Sequence, residues 1–165
     1  MSRILVVEDE QLIRGELRRL LTRAGHEVAE AESVQQAFTE HSPLDAFDLV
    51  LTDLRLPGPP GIDLISACAP APTVVMTSYA TVKSAVEAMQ LGAADYLAKP
   101  FDHDELILVV NRVLAQGRLQ RQVKALRADV ERTYPVGGMV GRSAAMLDVL
   151  ERVRKVAATD AAVLI

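Results

Sequence analysis

Acidic and polar residues stand directly after the strand-like segments of this sequence. Glu8 and Asp9 follow the first apolar run of the chain, and Asp53 follows another. Thr77 closes a third run, and Lys99 comes directly after a fourth. Ligands of open parallel sheets lie beyond the carboxyl ends of the strands, so we expect these five residues to lie close together.

The predicted cluster suits phosphoryl chemistry assisted by a metal ion. Three carboxylates that lie together repel one another unless a cation lies between them. Mg²⁺ prefers oxygen ligands of this kind, and it retains water and phosphate oxygens as further partners. With charge neutralised by the metal and by the Lys99 ammonium, a carboxylate can attack a phosphoryl group in line. We therefore predict a divalent metal site with Asp53 as the nucleophile.

Each of these residues also has a purely structural interpretation. The acids at residues 8–10 could complement the positive end of the first helix dipole, and Asp53 could begin a turn. Thr77 could be a β-former at a strand end, Lys99 a solvated surface charge and Tyr96 a core aromatic. The joint occurrence of functional side chains at four strand ends favours the chemical interpretation.

Strand-like and helix-like segments alternate along the chain. Short runs rich in β-branched residues predict five strands, at residues 4–7, 26–31, 47–52, 73–77 and 95–98. Three of them are apolar nearly throughout, which is typical of strands buried on both faces of a parallel sheet. The alternation predicts a doubly wound α/β fold with a five-stranded parallel sheet.

Apolar spacing and capping patterns place five helices between and after these strands. The first helix ends at Gly25, the third is confined to residues 62–68, and the fourth occupies about residues 81–91. The second helix begins at Ser33, where Gln36 completes a capping box. The fifth begins at Asp102, where Glu105 completes another. The third helix is short because breakers flank it on both sides.

The helical pattern continues past Gly117 into a heptad-like stretch. Leu119, Val123, Leu126 and Val130 recur at alternating steps of four and three, as at the a and d positions of a coiled coil. The alternative is a helix that packs on its own domain. We predict a first domain over residues 1–117, a helical dimerisation linker over 118–134 and the start of another domain over 135–165. A helix at 143–158 and a strand beginning at 161 are expected in that last part.

Composition excludes several classes of protein. The chain has 165 residues and a formal net charge of -4, so it offers no basic excess for broad contact with nucleic acid. Cys68 is the single cysteine, which excludes an internal disulfide framework, and the three histidines lack metal-ligand spacing. No apolar run approaches the ~20 residues of a membrane-spanning helix, and no signal peptide precedes the first strand. We expect a cytoplasmic protein without a membrane role.

Four motifs together resemble the receiver domains of two-component response regulators. They are Ile-Leu-Val-Val-Glu-Asp-Glu at residues 4–10, Leu-Val-Leu-Thr-Asp-Leu-Arg-Leu-Pro-Gly at 49–58, Val-Val-Met-Thr at 74–77 and Asp-Tyr-Leu-Ala-Lys-Pro-Phe at 95–101. The resemblance spans residues 1 to about 117 and implies the flavodoxin-like strand order 2-1-3-4-5. It also implies that Asp53 accepts a phosphoryl group from a sensor histidine kinase, as a regulatory phosphoacceptor rather than an enzyme.

The same resemblance implies a set of metal ligands. Asp9 and Asp53 would bind Mg²⁺, Glu8 would act through water, and the Arg55 backbone carbonyl would complete the protein ligands. Lys99 would pair with the phosphoryl group.

A second implied set of residues concerns the response to phosphorylation. Thr77 would swing toward the phosphoryl group while Tyr96 is repositioned, which would alter the fourth helix, the fifth strand and the fifth helix. The Lys99–Pro100 peptide would be cis, an isomer accessible because proline follows.

Residues 140–165 resemble the opening of the AAA+ ATPase domain of NtrC-type, sigma-54-dependent activators. Nothing in the sequence matches G-x-x-x-x-G-K-[ST], so this chain cannot hydrolyse ATP by that route. The resemblance implies a homodimer formed through the linker. It further implies contacts with sigma-54 RNA polymerase, ATP and DNA through regions that are absent from this chain.

Other functions remain as alternatives. Many aspartate-nucleophile phosphatases and phosphotransferases carry a second Asp two positions after the nucleophile, where this chain has Arg55. A flavodoxin-like nucleotide binder needs phosphate-binding hydroxyls and amides in the first strand-to-helix turn, where the acids at residues 8–10 would repel phosphate. A pure dimerisation module would bind no Mg²⁺. The stretch from Asp53 to Thr77 is also shorter than is usual in receivers, and Leu56 replaces the more common Met.

Overall fold

The computed structural model describes residues 1–133 and 143–157, and its centre is a five-stranded parallel sheet. The strands lie in the order β2-β1-β3-β4-β5, and every neighbouring pair is parallel. Their bounds are Arg3–Val7 (β1), Glu27–Ala31 (β2), Leu49–Asp53 (β3), Thr73–Thr77 (β4) and Asp95–Ala98 (β5). The doubly wound α/β prediction is confirmed.

Helices follow the strands in the predicted alternation. They are Gln11–Arg23 (α1), Val34–His41 (α2), Leu64–Ala67 (α3), Val82–Gln90 (α4), His103–Thr133 (α5) and Ala144–Ala157 (α6). The third helix is shorter than predicted, because a 3₁₀ turn at Gly61–Asp63 takes up the first part of its segment. The predicted strand at residues 161–165 lies outside the described residues.

The sheet is buried on both faces, which explains its uniformly apolar strands. Ile4 and Val6 pack into one cluster with α1 and α5, whereas Leu5 and Val7 pack into another with α2 and α3. A smaller cluster joins α3, α4 and β4. These layers fix the carboxyl ends of the strands relative to one another.

The N-terminus of α2 departs from its predicted cap. The Ser33 hydroxyl accepts a hydrogen bond from the Gln36 amide, as predicted. The Gln36 side chain, however, accepts from the amide of Glu32 rather than from that of Ser33, so the predicted reciprocal box is wrong. A complete capping box occurs instead at the start of α4, between Thr81 and Ser84.

Cys68 is completely buried, and burial raises the pKa of its thiol to about 11. Because the thiolate is the reactive form, we expect no alkylation of the folded protein by iodoacetamide at neutral pH. In urea the same thiol should react completely. Intact mass measured with time distinguishes the two cases, and labelling of the folded chain at the unfolded rate would contradict the burial.

The chain divides into two compact units, Met1–Arg118 and Leu119–Ile165. The 31-residue α5 begins in the first unit and continues without a break into the second. The linker side chains Leu119, Val123 and Leu126 are exposed, whereas the side chain of Val130 lies outside the described part. None of the described helices is long and apolar enough to cross a membrane.

Candidate functional site

Asp53 is the last residue of β3, at the carboxyl edge of the sheet between β1 and β4. Its side chain is largely buried, and both carboxylate oxygens have donors. Oδ1 accepts from the Arg55 amide at 2.7 Å, and Oδ2 lies 2.5 Å from the Lys99 ammonium. The carboxylate is therefore held in one orientation by groups from two different loops.

Lys99 also pairs with Glu8, whose carboxylate Oε2 lies 2.6 Å from the ammonium nitrogen. Burial alone would lower the pKa of Lys99. The hydrogen bonds and charges of Asp53 and Glu8 outweigh that effect, so the pKa of the ammonium is raised. Lys99 therefore remains charged. Its ion pairs connect the end of β5 to the ends of β1 and β3.

The Glu8 carboxylate is almost completely buried. Desolvation raises its pKa, the Lys99 ammonium opposes that rise, and the charges of Asp53 and Asp9 add to it. Glu8 and Asp53 share the Lys99 ammonium, and Asp9 adds a third negative charge nearby, so the site carries an excess of negative charge.

The metal ligands Glu8, Asp9 and Asp53 remain a prediction. In the described residues, no group of three or more Asp, Glu, His or Cys side chains is placed to hold a metal ion. The Glu8 carboxylate is engaged by Lys99. The donors still fit Mg²⁺, because that ion binds through one or two carboxylates and retains several waters. Asp9, Asp53 and the Arg55 backbone carbonyl would supply such a set, and the excess of negative charge favours a cation.

Arg14 orients the loop that carries Glu8 and Asp9. Its guanidinium donates to the backbone carbonyls of both residues, at 2.5 Å and 3.1 Å. Asp9 is exposed, and it lines an open groove together with Glu32, Ser33, Gln35, Pro57 and Gly58. The sequence did not reveal Arg14, because a side chain that binds carbonyls of the preceding turn leaves no distinctive motif.

Gly61 lies against the backbone of Asp53. A Cβ atom at this position would lie 1.8 Å from the Asp53 carbonyl oxygen and 2.4 Å from the Thr52 hydroxyl. The Gly61 amide also donates to the Leu54 carbonyl. Glycine is therefore required here, because any side chain would collide with the end of β3. The backbone of Gly61 packs directly against that strand end.

Thr77 and Tyr96 lie on the neighbouring strands β4 and β5, two register positions apart. The Thr77 hydroxyl is buried and accepts from the Tyr79 amide at 3.1 Å. The Tyr96 ring packs against the cluster beneath α4, and its hydroxyl lies 2.8 Å from that of Ser84. The Lys99–Pro100 peptide is cis, as are Ser42–Pro43 and Ala69–Pro70.

The chain belongs to the family of response regulator receiver domains, whose model matches residues 4–111. This finding confirms the resemblance drawn from the four motifs. Receiver domains generally bind Mg²⁺ at their phosphorylation site.

Relatives of the NtrC type match over nearly the whole chain. The regulatory protein AtoC of Escherichia coli is 34% identical, over 100% of this chain and 36% of its own length. The DNA-binding transcriptional regulator NtrC of Klebsiella pneumoniae is 33% identical, over 97% of this chain and 34% of its own. The crystal structure of NtrX from Brucella abortus has a TM-score of 0.68 at 32% identity, covering 96% of this chain and 35% of that one. The chain thus spans about a third of the length of the curated relatives it matches.

Proposed function

We propose that this chain is a phosphorylation-controlled switch in which Asp53 accepts a phosphoryl group from a sensor histidine kinase. The observation that carries the proposal is the environment of the Asp53 carboxylate, which is held by the Arg55 amide and the Lys99 ammonium at the sheet edge. A fixed carboxylate beside a buried cation is suited to in-line attack on phosphorus.

The transfer exchanges one bond to phosphorus for another. An Asp53 oxygen forms the new P–O bond, the P–N bond of the phosphohistidine breaks, and its electron pair returns to the imidazole nitrogen. Lys99 would neutralise charge on the phosphoryl oxygens. Asp9, Asp53 and the Arg55 carbonyl would hold Mg²⁺, with Glu8 acting through water. When bound, Mg²⁺ supplies positive charge opposite the transferring group.

The response is proposed to pass through the residues next to the site. Thr77 would turn its hydroxyl toward the phosphoryl group, which requires loss of its hydrogen bond from the Tyr79 amide. Tyr96 would move with it, and the Tyr96–Ser84 contact would pass that movement to α4. The chemistry at Asp53 would thereby alter the surface formed by α4, β5 and α5.

We further propose that α5 carries the change to an output domain. The exposed apolar residues Leu119, Val123 and Leu126 would pair with those of a second copy in a coiled-coil dimer. In the full-length protein the output domain would be an AAA+ ATPase that acts on sigma-54 RNA polymerase at DNA. The support is the match to NtrC-type regulators along nearly the whole chain.

Intact mass after incubation with acetyl phosphate and Mg²⁺ tests the proposal. We expect one phosphoryl adduct on the wild-type chain, none without Mg²⁺ and none on Asp53→Asn. Asp63→Asn is the matched control, because Asp63 lies in the 3₁₀ turn after the site rather than at it. An equal adduct on Asp53→Asn would refute the assignment, and no adduct with acetyl phosphate or with a phosphorylated kinase would favour a dimerisation module instead.

A further inference from the structure

Arg55 and Tyr79 contact each other above the carboxyl edge of the sheet. They lie in the loops that follow β3 and β4, which are adjacent strands. The Arg55 guanidinium carbon lies 4.1 Å from the centre of the Tyr79 ring. This distance is well within the range of a cation–π interaction, which extends to about 6 Å.

The same two residues hold the side chains that the proposed function uses. The Arg55 amide donates to Asp53, and the Tyr79 amide donates to the hydroxyl of Thr77. Because Asp53 pairs in register with Met76, directly before Thr77, the two amides lie just beyond the ends of neighbouring strands. The ring contact therefore connects the loop of the phosphoacceptor to the loop that restrains Thr77.

We propose that the Arg55–Tyr79 contact is a latch that favours the resting state and that phosphorylation opens it. The inference rests on the proposed function of Asp53. A phosphoryl group there adds about two negative charges and strong acceptor oxygens beside the Arg55 loop. Guanidinium–phosphate hydrogen bonds are charge-assisted, so they compete effectively with an exposed ring contact.

The exposure of the pair fits a latch that can open. Tyr79 is 63% exposed and Arg55 is also exposed, so the contact is screened by water and weak. When the guanidinium leaves the ring, the Tyr79 loop loses this contact with the Asp53 loop. Its amide can then release Thr77, which is the movement that the switch requires.

Removing the latch should make the activated state easier to reach. Since exposed cation–π contacts are worth about 0.5–1 kcal/mol, Tyr79→Leu should bind beryllofluoride about two- to fivefold more tightly in the presence of Mg²⁺. Tyr79→Phe keeps the ring and should retain the wild-type affinity. In an Arg55→Ala background, Tyr79→Leu should have no effect, because the latch is already absent. Arg55→Ala leaves the backbone amide and carbonyl of that residue in place.

Proton NMR of the resting protein provides an independent arm of the experiment. The ring current should shift the Arg55 side-chain protons upfield in the wild type and in Tyr79→Phe. The shift should be absent in Tyr79→Leu, and it should be lost from the wild type when Mg²⁺ and beryllofluoride are added.

The outcomes separate the latch from the function on which it rests. Normal beryllofluoride binding with no gain in Tyr79→Leu, or with the same gain in the Arg55→Ala background, would overturn the latch alone. Absence of the upfield shift in the resting wild type would also overturn it. A wild type that takes up neither phosphoryl nor beryllofluoride would overturn the proposed function and the latch together.

Discussion

Replacement of Lys99 by methionine is expected to lower the free energy of unfolding by about 3 kcal/mol at neutral pH. The ammonium is the partner of both Glu8 and Asp53, and the side chains of all three are at most 10% exposed. Methionine preserves most of the side-chain volume and removes the charge. Two buried carboxylates then lose their compensation, and their mutual repulsion remains.

The loss should depend on pH with a definite sign. Burial already raises the pKa of Glu8 above its ordinary value of 4.5, and removal of the ammonium raises it further. A carboxyl group with a raised folded pKa favours the folded state below the unfolded pKa, and that contribution is lost as pH rises through the folded pKa. The deficit of Lys99→Met should therefore grow as pH increases and shrink toward acidic pH.

Urea unfolding without Mg²⁺, from about pH 5 to about pH 8, measures this deficit. Lys83→Met is the matched control, because Lys83 is exposed on α4 and its replacement should change stability little. A deficit that stays constant over this range, or that equals the deficit of the control, would show that Lys99 is not the essential partner of the buried acids.

Gly61→Ala is expected to destabilise the protein by about 3 kcal/mol, at the upper end of overpacking costs. The added methyl group would collide with the Asp53 carbonyl oxygen, which is backbone and cannot rotate away. The Asp53 loop must shift, and we expect phosphorylation by acetyl phosphate to slow with it.

Gly15→Ala is the natural comparison for this substitution. Gly15 lies within α1, and a Cβ atom there would meet nothing within 4 Å. Alanine in a helix interior should raise the free energy of unfolding by about 0.5–1 kcal/mol. Chemical denaturation of both variants gives the test. Equal effects of the two substitutions would mean that the close approach at Gly61 is relieved at no cost.

The fold was predictable because its signals are local. Apolar runs short enough for strands alternate with helical spacing, and that pattern suffices for a parallel sheet with helices on both faces. Asp53, Thr77 and Lys99 were predictable as site candidates for a related reason. They stand at strand ends, and parallel strands bring their carboxyl ends to one edge.

Contacts between distant side chains were not predictable in this way. Glu8 and Lys99 are 91 positions apart, and the sequence does not show that these two side chains form an ion pair. The Arg55–Tyr79 contact and the approach of Gly61 to Asp53 likewise depend on how the loops pack. The Gln36 side chain accepts from the amide of Glu32 rather than from that of Ser33, and the capping-box pattern in the sequence does not distinguish these two amides.

The packing of Gly61 also bears on where this fold can change length. The nine positions from Asp53 to Gly61 are fixed at both ends, by the strand register on one side and by backbone contact on the other. The pairing of Thr73 with Val50 likewise fixes where β4 begins. Between β3 and β4, residues 62–72 are therefore the part that can absorb insertions or deletions. This part contains α3, which has four residues. The third helix is thus the adjustable spacer of the domain, and chimeras could exchange it without disturbing Asp53.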